Sequence, residues 1–155
     1  MPLFDSLTRF RQLKSVDRRI VLEAWVALPT IHFLLCLLGF KRTLALLSQV
    51  GSRKSATPAS EWNPRAWHIM RLTRLAARRG VVQGNCLSQS LTLWWLLHQS
   101  GIESELRVGV RKEANQFLAH AWIELAGFPL NDRVEAVRQY AMFEKLTIPN
   151  LVEWA

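Results

Sequence analysis

The sequence predicts an α+β fold in which an apolar helical region precedes a small antiparallel sheet, packed on a helix that begins at a cysteine. Apolar residues recur at helical spacing through the first half of the chain. A glycine and an asparagine stand directly before Cys86 and another helical run, and two later runs alternate apolar and polar residues as strands do. At 155 residues the chain is long enough for one compact domain with a sizeable core.

The composition is that of a folded and strongly basic protein. Half of the residues are hydrophobic and 21% are charged, so global disorder is not expected. Twenty Lys and Arg against twelve Asp and Glu give a formal net charge of +8, which favours an acidic partner, nucleic acid or an anionic membrane surface. Nucleic-acid binding also requires a clustered basic footprint, so charge alone does not lead us to predict a nucleic-acid partner.

The chain has two cysteines, Cys36 and Cys86, which lie in different environments. A disulfide-stapled secreted fold would carry more cysteines at short spacing, and the first residues lack the pattern of a secretory signal. We therefore expect a cytoplasmic protein. Cys36 stands within an apolar run, where a buried structural cysteine is expected.

The first 50 residues are predicted to form a helical region. Ser15 can start a helix that Pro29 kinks, and the seventeen residues of Ala24–Phe40 carry no charge. This length is at the lower margin for a membrane-spanning helix, which needs roughly 17 to 25 residues. We expect a buried helix, and the alternative is that residues 20–50 dock on a partner protein or on a membrane surface.

Gly39 is predicted to end that helix, and a second short helix follows over residues 41–50. Residues 51–60 lose all periodicity and are predicted to form a linker or exposed loop. This leaves 61–155 as the core domain, which starts with a helix capped at Asn63-Pro64.

One side of this capped helix is basic. Arg71, Arg74 and Arg78 recur on it, while apolar residues recur on another side. We interpret the three arginines as a candidate surface for binding substrate or a partner, either an acidic peptide or a nucleic-acid backbone. A solvated helix face is the alternative.

Cys86 is the predicted nucleophile. Asn85 can cap the following helix, which places Cys86 in its first turn, where free N–H groups and the positive end of the helix dipole stabilise a thiolate. The thiolate is the reactive form of a cysteine. The backbone N–H of Cys86 is the expected oxyanion donor, and Gln83 is a second candidate unless it is only a solvated loop residue.

The alternating runs predict strands over Leu106–Arg111 and Phe117–Leu125, joined as an antiparallel hairpin. A period of two places His120, Trp122 and Glu124 on one face of the second strand. His120, flanked by alanines, is the predicted base, with a histidine at a strand surface as the alternative. Trp122 faces the same way and is a candidate substrate-binding residue.

Asp132 is predicted to lie beside His120. A tight turn at Ala126-Gly127 sends a third short strand back along the second, and a symmetric register then places Asp132 opposite residue 121. A carboxylate beside an imidazole fixes its tautomer and stabilises the imidazolium, which would complete a nucleophile, base and orienting acid.

Other chemistries have less support in the sequence. No CxxC, HxxxH or similar short-spaced pair is present, so a metal site is not predicted. His98 is a rival base, but it lies three turns along the helix from Cys86, roughly 18 Å away. His32 and His68 have no neighbour at ligand spacing and are predicted to be structural.

Four segments together resemble the lasso-peptide leader peptidases, which are small bacterial transglutaminase-like cysteine proteases. These segments are Asn85–Leu91 (NCLSQSL), Leu106–Arg111 (LRVGVR), Phe117–Glu124 (FLAHAWIE) and Pro129–Asp132 (PLND). The resemblance implies a transglutaminase- or papain-like core, with Cys86, His120 and Asp132 as a catalytic triad.

The resemblance also implies a reaction and its partners. The enzyme would hydrolyse the bond between the leader and the core of a ribosomally made precursor peptide without a cofactor, and a separate ATP-dependent cyclase would close the freed core. Family members of this length lack a leader-recognition domain, so a separate recognition protein is an implied partner. The alternative functions are acyl transfer to an amine by the same triad and a non-catalytic binding module.

Overall fold

The computed structural model describes residues 14–50, 62–79 and 85–143. Its elements in chain order are α1 (Ser15–Gln49), α2 (Pro64–Arg79), α3 (Cys86–Gln99), β1 (Glu105–Glu113), β2 (Gln116–Leu125), β3 (Phe128–Pro129), α4 (Val134–Val137) and β4 (Ala141–Met142). The four strands form one antiparallel sheet in the order β3-β2-β1-β4. The predicted α+β class is confirmed, and the predicted linker over 51–60 lies outside the described residues.

Helix α1 consists of two helical segments that meet at Gly39, where φ is 75° and ψ is 175°. Glycine adopts a positive φ without steric strain, which explains why the chain breaks its helical geometry at this residue. The Thr43 hydroxyl donates to the Gly39 carbonyl at 2.8 Å and so satisfies an acceptor at the break. The predicted helix end at Gly39 is confirmed, whereas Pro29 lies inside the first segment.

Only one side of α1 is buried. Val21, Ala24 and Ile31 pack into the core with α2 and α3. The opposite side exposes a stripe of large apolar residues, which are Leu22, Trp25, Val26, Phe33 and Leu37. Cys36 is also exposed, contrary to the expectation of a buried structural cysteine, because it lies on the side that no described element covers.

By length and composition, α1 is the one helix of the described residues that could cross a membrane. Its buried side nevertheless forms part of the protein core. The expectation of a buried helix therefore holds for one side of α1 only. Docking of residues 20–50 on a partner or a membrane stays a prediction, and the exposed stripe is the surface that such docking would use.

Helices α2 and α3 supply about half of the buried core residues. The side-chain oxygen of Asn63 accepts the N–H groups of Arg65 and Ala66 at 3.0 and 3.2 Å, as expected for a residue that caps α2. Buried apolar residues of α2, α3 and β2 meet in one cluster, among them Ile69, Leu72, Ala76, Leu91, Leu97, Ile123 and Leu125.

Two tight turns set the register of the sheet. Strands β1 and β2 pair from Glu113 with Gln116 onward, so the predicted hairpin is confirmed. Between β2 and β3, Ala126 and Gly127 both have positive φ, of 49° and 84°, which is the geometry of a two-residue hairpin turn that matches the twist of the strands. This turn pairs Leu125 with Phe128 and fixes which residues of the following segment lie beside β2.

Candidate active site

Cys86 is the first residue of α3, as the sequence predicts. The side-chain oxygen of Asn85 accepts the N–H of Ser88 at 2.9 Å and so caps the helix. Within the described residues, the N–H groups of Cys86 and Leu87 have no acceptor. A free and partly exposed thiol therefore lies at a helix start whose unpaired donors and dipole favour negative charge.

The predicted base and its orienting acid are in contact, because Nε2 of His120 is hydrogen-bonded to Oδ2 of Asp132. The register explains this contact. The N–H of Leu130 donates to the Ile123 carbonyl at 2.8 Å, which continues the β2–β3 register one step beyond β3. Two residues further on and outside the strand, Asp132 contacts His120 through its side chain. The strand pairing does not extend that far, because the N–H of Ile123 bonds to the Asn131 side chain, so the pairing of Asp132 with residue 121 stays a prediction.

Both carboxylate oxygens of Asp132 act as acceptors. Oδ2 faces His120, and Oδ1 accepts the backbone N–H of Arg133 at 2.8 Å. An acceptor at Nε2 places the hydrogen of the neutral His120 ring on that nitrogen. The ring nitrogen Nδ1 then keeps its lone pair and can accept a proton from a thiol.

A buried hydroxyl ties helix α3 to the sheet. Ser90, which is fully buried, donates from Oγ to the Ala121 carbonyl at 2.9 Å and accepts from Nδ2 of Asn131 at 3.1 Å. The side-chain oxygen of Asn131 in turn accepts the N–H of Ile123 at 2.8 Å. Helix α3, strand β2 and the segment after β3 are therefore joined in one fully paired polar network.

This network adjoins all three candidate residues. Ser90 lies one turn after Cys86 on α3, and its two partners are the chain neighbours of His120 and Asp132. In the described part of the chain, Cys86 forms no hydrogen bond with His120. The structural link between them runs through Ser90.

The His120 ring lies in an aromatic cluster. Its centroid is 6.0 Å from that of Trp122 and 5.3 Å from that of Tyr140, and the Arg111 guanidinium lies 5.2 Å from the Tyr140 ring centroid. Gly109 faces His120 across the sheet. A Cβ at Gly109 would lie 2.8 Å from the Tyr140 Cβ and 3.1 Å from the Trp122 ring, so only glycine leaves room for this cluster.

Trp122 packs on His120 and is only 1% exposed. The burial gives the ring a supporting role beside His120, and its predicted contact with substrate stays a prediction. The indole Nε1 donates to Oε1 of Glu124 at 2.8 Å, and Oε2 of the same buried carboxylate pairs with Nε of Arg107 at 2.9 Å. The ring that packs on His120 is thus fixed in orientation.

The remaining histidines have other partners. His98 stacks on Trp94 at the far end of α3, with centroids 5.3 Å apart. Nε2 of His68 pairs with Oδ1 of Asp17 at 2.8 Å and joins α2 to α1. Across residues 14–50, 62–79 and 85–143, no group of three His, Cys, Asp or Glu side chains is arranged to hold a metal ion. Gln83, the second oxyanion candidate, lies outside the described residues.

One of the three arginines of α2, Arg74, contacts the segment that contains Asp132. Arg71, Arg74 and Arg78 are all exposed, and we call this surface the basic side of α2. Arg74 donates from Nη2 to the carbonyl of Asn131 at 3.0 Å, next to Asp132. The basic side of α2 is therefore anchored to the segment that holds the His120 partner.

Sequence reasoning missed Ser90, Asn131 and Tyr140 as parts of the site. Ser90 carries no distinguishing signal, because Ser88, Gln89 and Thr92 beside it on the helix are also polar. Asn131 stands directly before Asp132 but reads as a turn residue. Nothing in the sequence indicates Tyr140, because its position beside His120 depends on the short pairing of β1 with β4, which consists of only two residue pairs.

A thiol at a helix start, on a helix that a buried serine ties to the strand of an aspartate-paired histidine, supplies the groups used by enzymes that form acyl-cysteine intermediates. The sequence matches the Transglutaminase-like superfamily over residues 34–145, and the chain belongs to this family. The superfamily generally includes cysteine peptidases and acyltransferases. A search of curated proteins and a search of solved structures found no match to the chain.

Proposed function

We propose that this protein is a cysteine peptidase that removes the leader peptide from a ribosomally made lasso-peptide precursor. The observation that supports the chemistry best is the contact of His120 with Asp132 on a sheet that Ser90 ties to the helix of Cys86. The narrower substrate rests on the resemblance of four sequence segments to leader peptidases, from NCLSQSL to PLND.

In the first half of the proposed reaction, Cys86 Sγ gives its proton to Nδ1 of His120 and attacks the carbonyl carbon of the scissile bond. The backbone N–H of Cys86 donates to the oxyanion that forms. The C–N bond then breaks, and His120 passes the proton to the departing amine of the core peptide. The leader remains as a thioester on Cys86, while Asp132 holds the imidazole and stabilises its charged form.

In the second half, water replaces the core peptide. The oxygen of a water molecule attacks the thioester carbon as His120 accepts one of its protons, and the C–S bond breaks. The proton returns from His120 to Sγ, and the leader leaves with a free carboxylate. The net reaction consumes one water molecule for each bond cleaved, and it needs no cofactor.

The proposal includes two protein partners. A separate leader-recognition protein would present the leader, and a cyclase would act on the freed core. Reading frames beside this one that encode a short precursor, a recognition protein and a cyclase would support the proposal. The absence of such reading frames would favour a different activity of the superfamily.

The test uses a precursor and a recognition protein from such neighbouring frames. Incubation with this protein should give two fragments whose masses sum to the precursor plus water. Cys86→Ala should give neither fragment while still binding the leader-loaded recognition protein. Cys36→Ser, which changes the exposed cysteine on α1, should cleave as the unaltered chain does.

Two outcomes would overturn the proposal. Cleavage retained by Cys86→Ala would remove the nucleophile from the mechanism. A product that has lost ammonia would indicate acyl transfer to an amine, the second candidate function, which the family match covers equally. A Cys86 thiol that does not react with iodoacetamide near neutral pH, under conditions where Cys36 does, would favour a non-catalytic binding module.

A further inference from the structure

We propose that the basic side of α2 binds acidic residues of the peptide substrate beside the scissile bond. The identification of the ligand as the peptide substrate rests on the proposed function, whereas the surface itself is defined by geometry. Arg71, Arg74 and Arg78 lie within about 60° of one another around the helix axis. All three side chains are exposed.

The first support is that the described residues provide no counter-charge for these arginines. Helix α2 contains no Asp or Glu. No described carboxylate forms an ion pair with Arg71, Arg74 or Arg78. Their spacings of three and four residues are those at which like charges destabilise a helix. A ligand with negative charge would relieve this repulsion.

The second support is the position of the surface. Arg74 donates to the Asn131 carbonyl, one residue before Asp132. Arg133, directly after Asp132, is also exposed and adds a further positive charge at the same segment. A peptide whose scissile bond lies at Cys86 and His120 would therefore have the guanidinium groups of Arg74 and Arg133 close to the residues on one side of that bond.

The dimensions fit an extended peptide. The rise from Arg71 to Arg78 is about 10 Å, which is the length of about three residues of extended chain. Alternate side chains of such a chain lie on one side, roughly 7 Å apart, which exceeds the rises of about 4.5 and 6 Å between successive arginines by a difference that long arginine side chains can span. We therefore expect carboxylates at alternate positions of the substrate, where planar guanidinium groups can pair with them.

Binding can be tested without cleavage. The probes are a fluorescein-labelled decapeptide with Asp at alternate positions and the same peptide with Asn in place of each Asp. Fluorescence anisotropy with the Cys86→Ala chain should show binding of the Asp peptide only, and binding should weaken as salt concentration rises. Equal binding of the two peptides would overturn the inference.

The matched variants separate the basic side of α2 from the overall charge. Arg71→Gln with Arg78→Gln should weaken binding of the Asp peptide by about 2- to 25-fold, as two exposed ion pairs are lost and the Arg74 bond to Asn131 is left in place. Arg65→Gln is the control, because Arg65 is exposed on the same helix at least about 120° away. An equal loss with Arg65→Gln would show that only net charge matters.

Position beside the site has its own readout. With the unaltered chain, the Asp peptide should slow iodoacetamide labelling of Cys86 and leave that of Cys36 unchanged, as read by peptide mass spectrometry. Single-stranded DNA or anionic vesicles that bind at least as tightly, with the same dependence on Arg71 and Arg78, would overturn the peptide assignment and indicate a general polyanion surface.

The outcomes distinguish this inference from the proposed function. Cleavage of the precursor with an unchanged KM in the Arg71→Gln, Arg78→Gln variant would overturn the inference and leave the peptidase in place. Arginine-dependent binding of the Asp peptide that shields Cys86, in a chain that cleaves no precursor, would uphold the acidic-peptide site and overturn the leader peptidase.

Discussion

Asn131 donates a hydrogen bond to Ser90 across 41 positions of sequence. The bond joins the residue before Asp132 to the residue one turn after Cys86. Because Ser90 also donates to the Ala121 carbonyl, next to His120, one buried hydroxyl holds the three segments of the candidate site together. Such bonding is how a scaffold fixes reactive groups before substrate arrives, which lowers the cost of reaching the transition state.

Ser90→Ala is the direct test of this tie. It removes the acceptor of Asn131 and the donor to Ala121, and unpaired buried groups should lower the free energy of unfolding by about 1–3 kcal/mol in urea denaturation. Because the candidate residues lose their alignment, kcat per folded molecule should fall while KM changes little.

Thr92→Val is the control for Ser90→Ala. The Thr92 hydroxyl is equally buried on α3, but it donates to the Ser88 carbonyl of its own helix at 2.8 Å. Its loss should affect stability and spare kcat. A Ser90→Ala protein with the kcat of the unaltered chain would show that Ser90 acts in folding alone.

Asp132→Asn should be nearly as damaging as Asp132→Ala. An amide has one acceptor oxygen, whereas the carboxylate accepts from both His120 and the Arg133 N–H. With its oxygen on Arg133, the Asn amide would present N–H groups to His120 Nε2 and move the ring hydrogen to Nδ1, which could no longer accept a thiol proton. We expect kcat/KM to fall by about 10²- to 10⁴-fold.

Asp17→Asn is the matched control for this substitution. Asp17 forms the other described aspartate–histidine pair, with His68, and that pair joins α1 to α2 away from Cys86. Its replacement should leave kcat/KM unchanged. An Asp132→Asn enzyme with full activity would contradict the assigned role of the carboxylate.

The sequence was sufficient for the features that depend on local chemistry. The Asn85 cap, the strand alternation around His120 and the Ala126-Gly127 turn each follow from a few neighbouring residues, and the turn brings Asp132 back into contact with His120. Turn geometry fixes register because each residue of a hairpin has one partner.

Features that depend on distant contacts were not predictable. Ser88, Ser90 and Thr92 are alike in sequence, all buried on α3, yet only Ser90 bonds to the sheet and to Asn131. The exposed stripe of α1 was not predictable either, because an apolar helix has the same composition whether its neighbours cover one side or both.

Gly109→Ala should disturb the site through its aromatic cluster. The new Cβ would approach the Tyr140 Cβ to 2.8 Å, and neither it nor the adjoining Ala141 carbonyl at 3.2 Å is the end of a flexible side chain. The cluster must shift, with a loss of about 1–3 kcal/mol in unfolding free energy and a lower kcat as the ring of His120 moves.

The exposed Lys112→Ala substitution on the same strand is the control for Gly109→Ala. In Gly109→Ala, the midpoint of thermal denaturation, the near-ultraviolet circular dichroism of the aromatic rings and kcat should all change. In Lys112→Ala, none of the three should change. An unchanged aromatic spectrum for Gly109→Ala would contradict the packing described.

Glu124→Gln should destabilise the protein although it preserves shape. The buried carboxylate accepts from Trp122 with one oxygen and from Arg107 with the other, so an amide must direct its own N–H groups at one of these donors. We expect the free energy of unfolding to fall by about 1–3 kcal/mol in urea denaturation, with a lower kcat because Trp122 supports the His120 ring.

Glu113→Gln is the control, because this side chain on the same sheet is 60% exposed, and its replacement should lower the free energy of unfolding by at most about 1 kcal/mol. Equal losses of unfolding free energy from the two substitutions would show that the buried bonds of Glu124 add no more stability than an exposed ion pair.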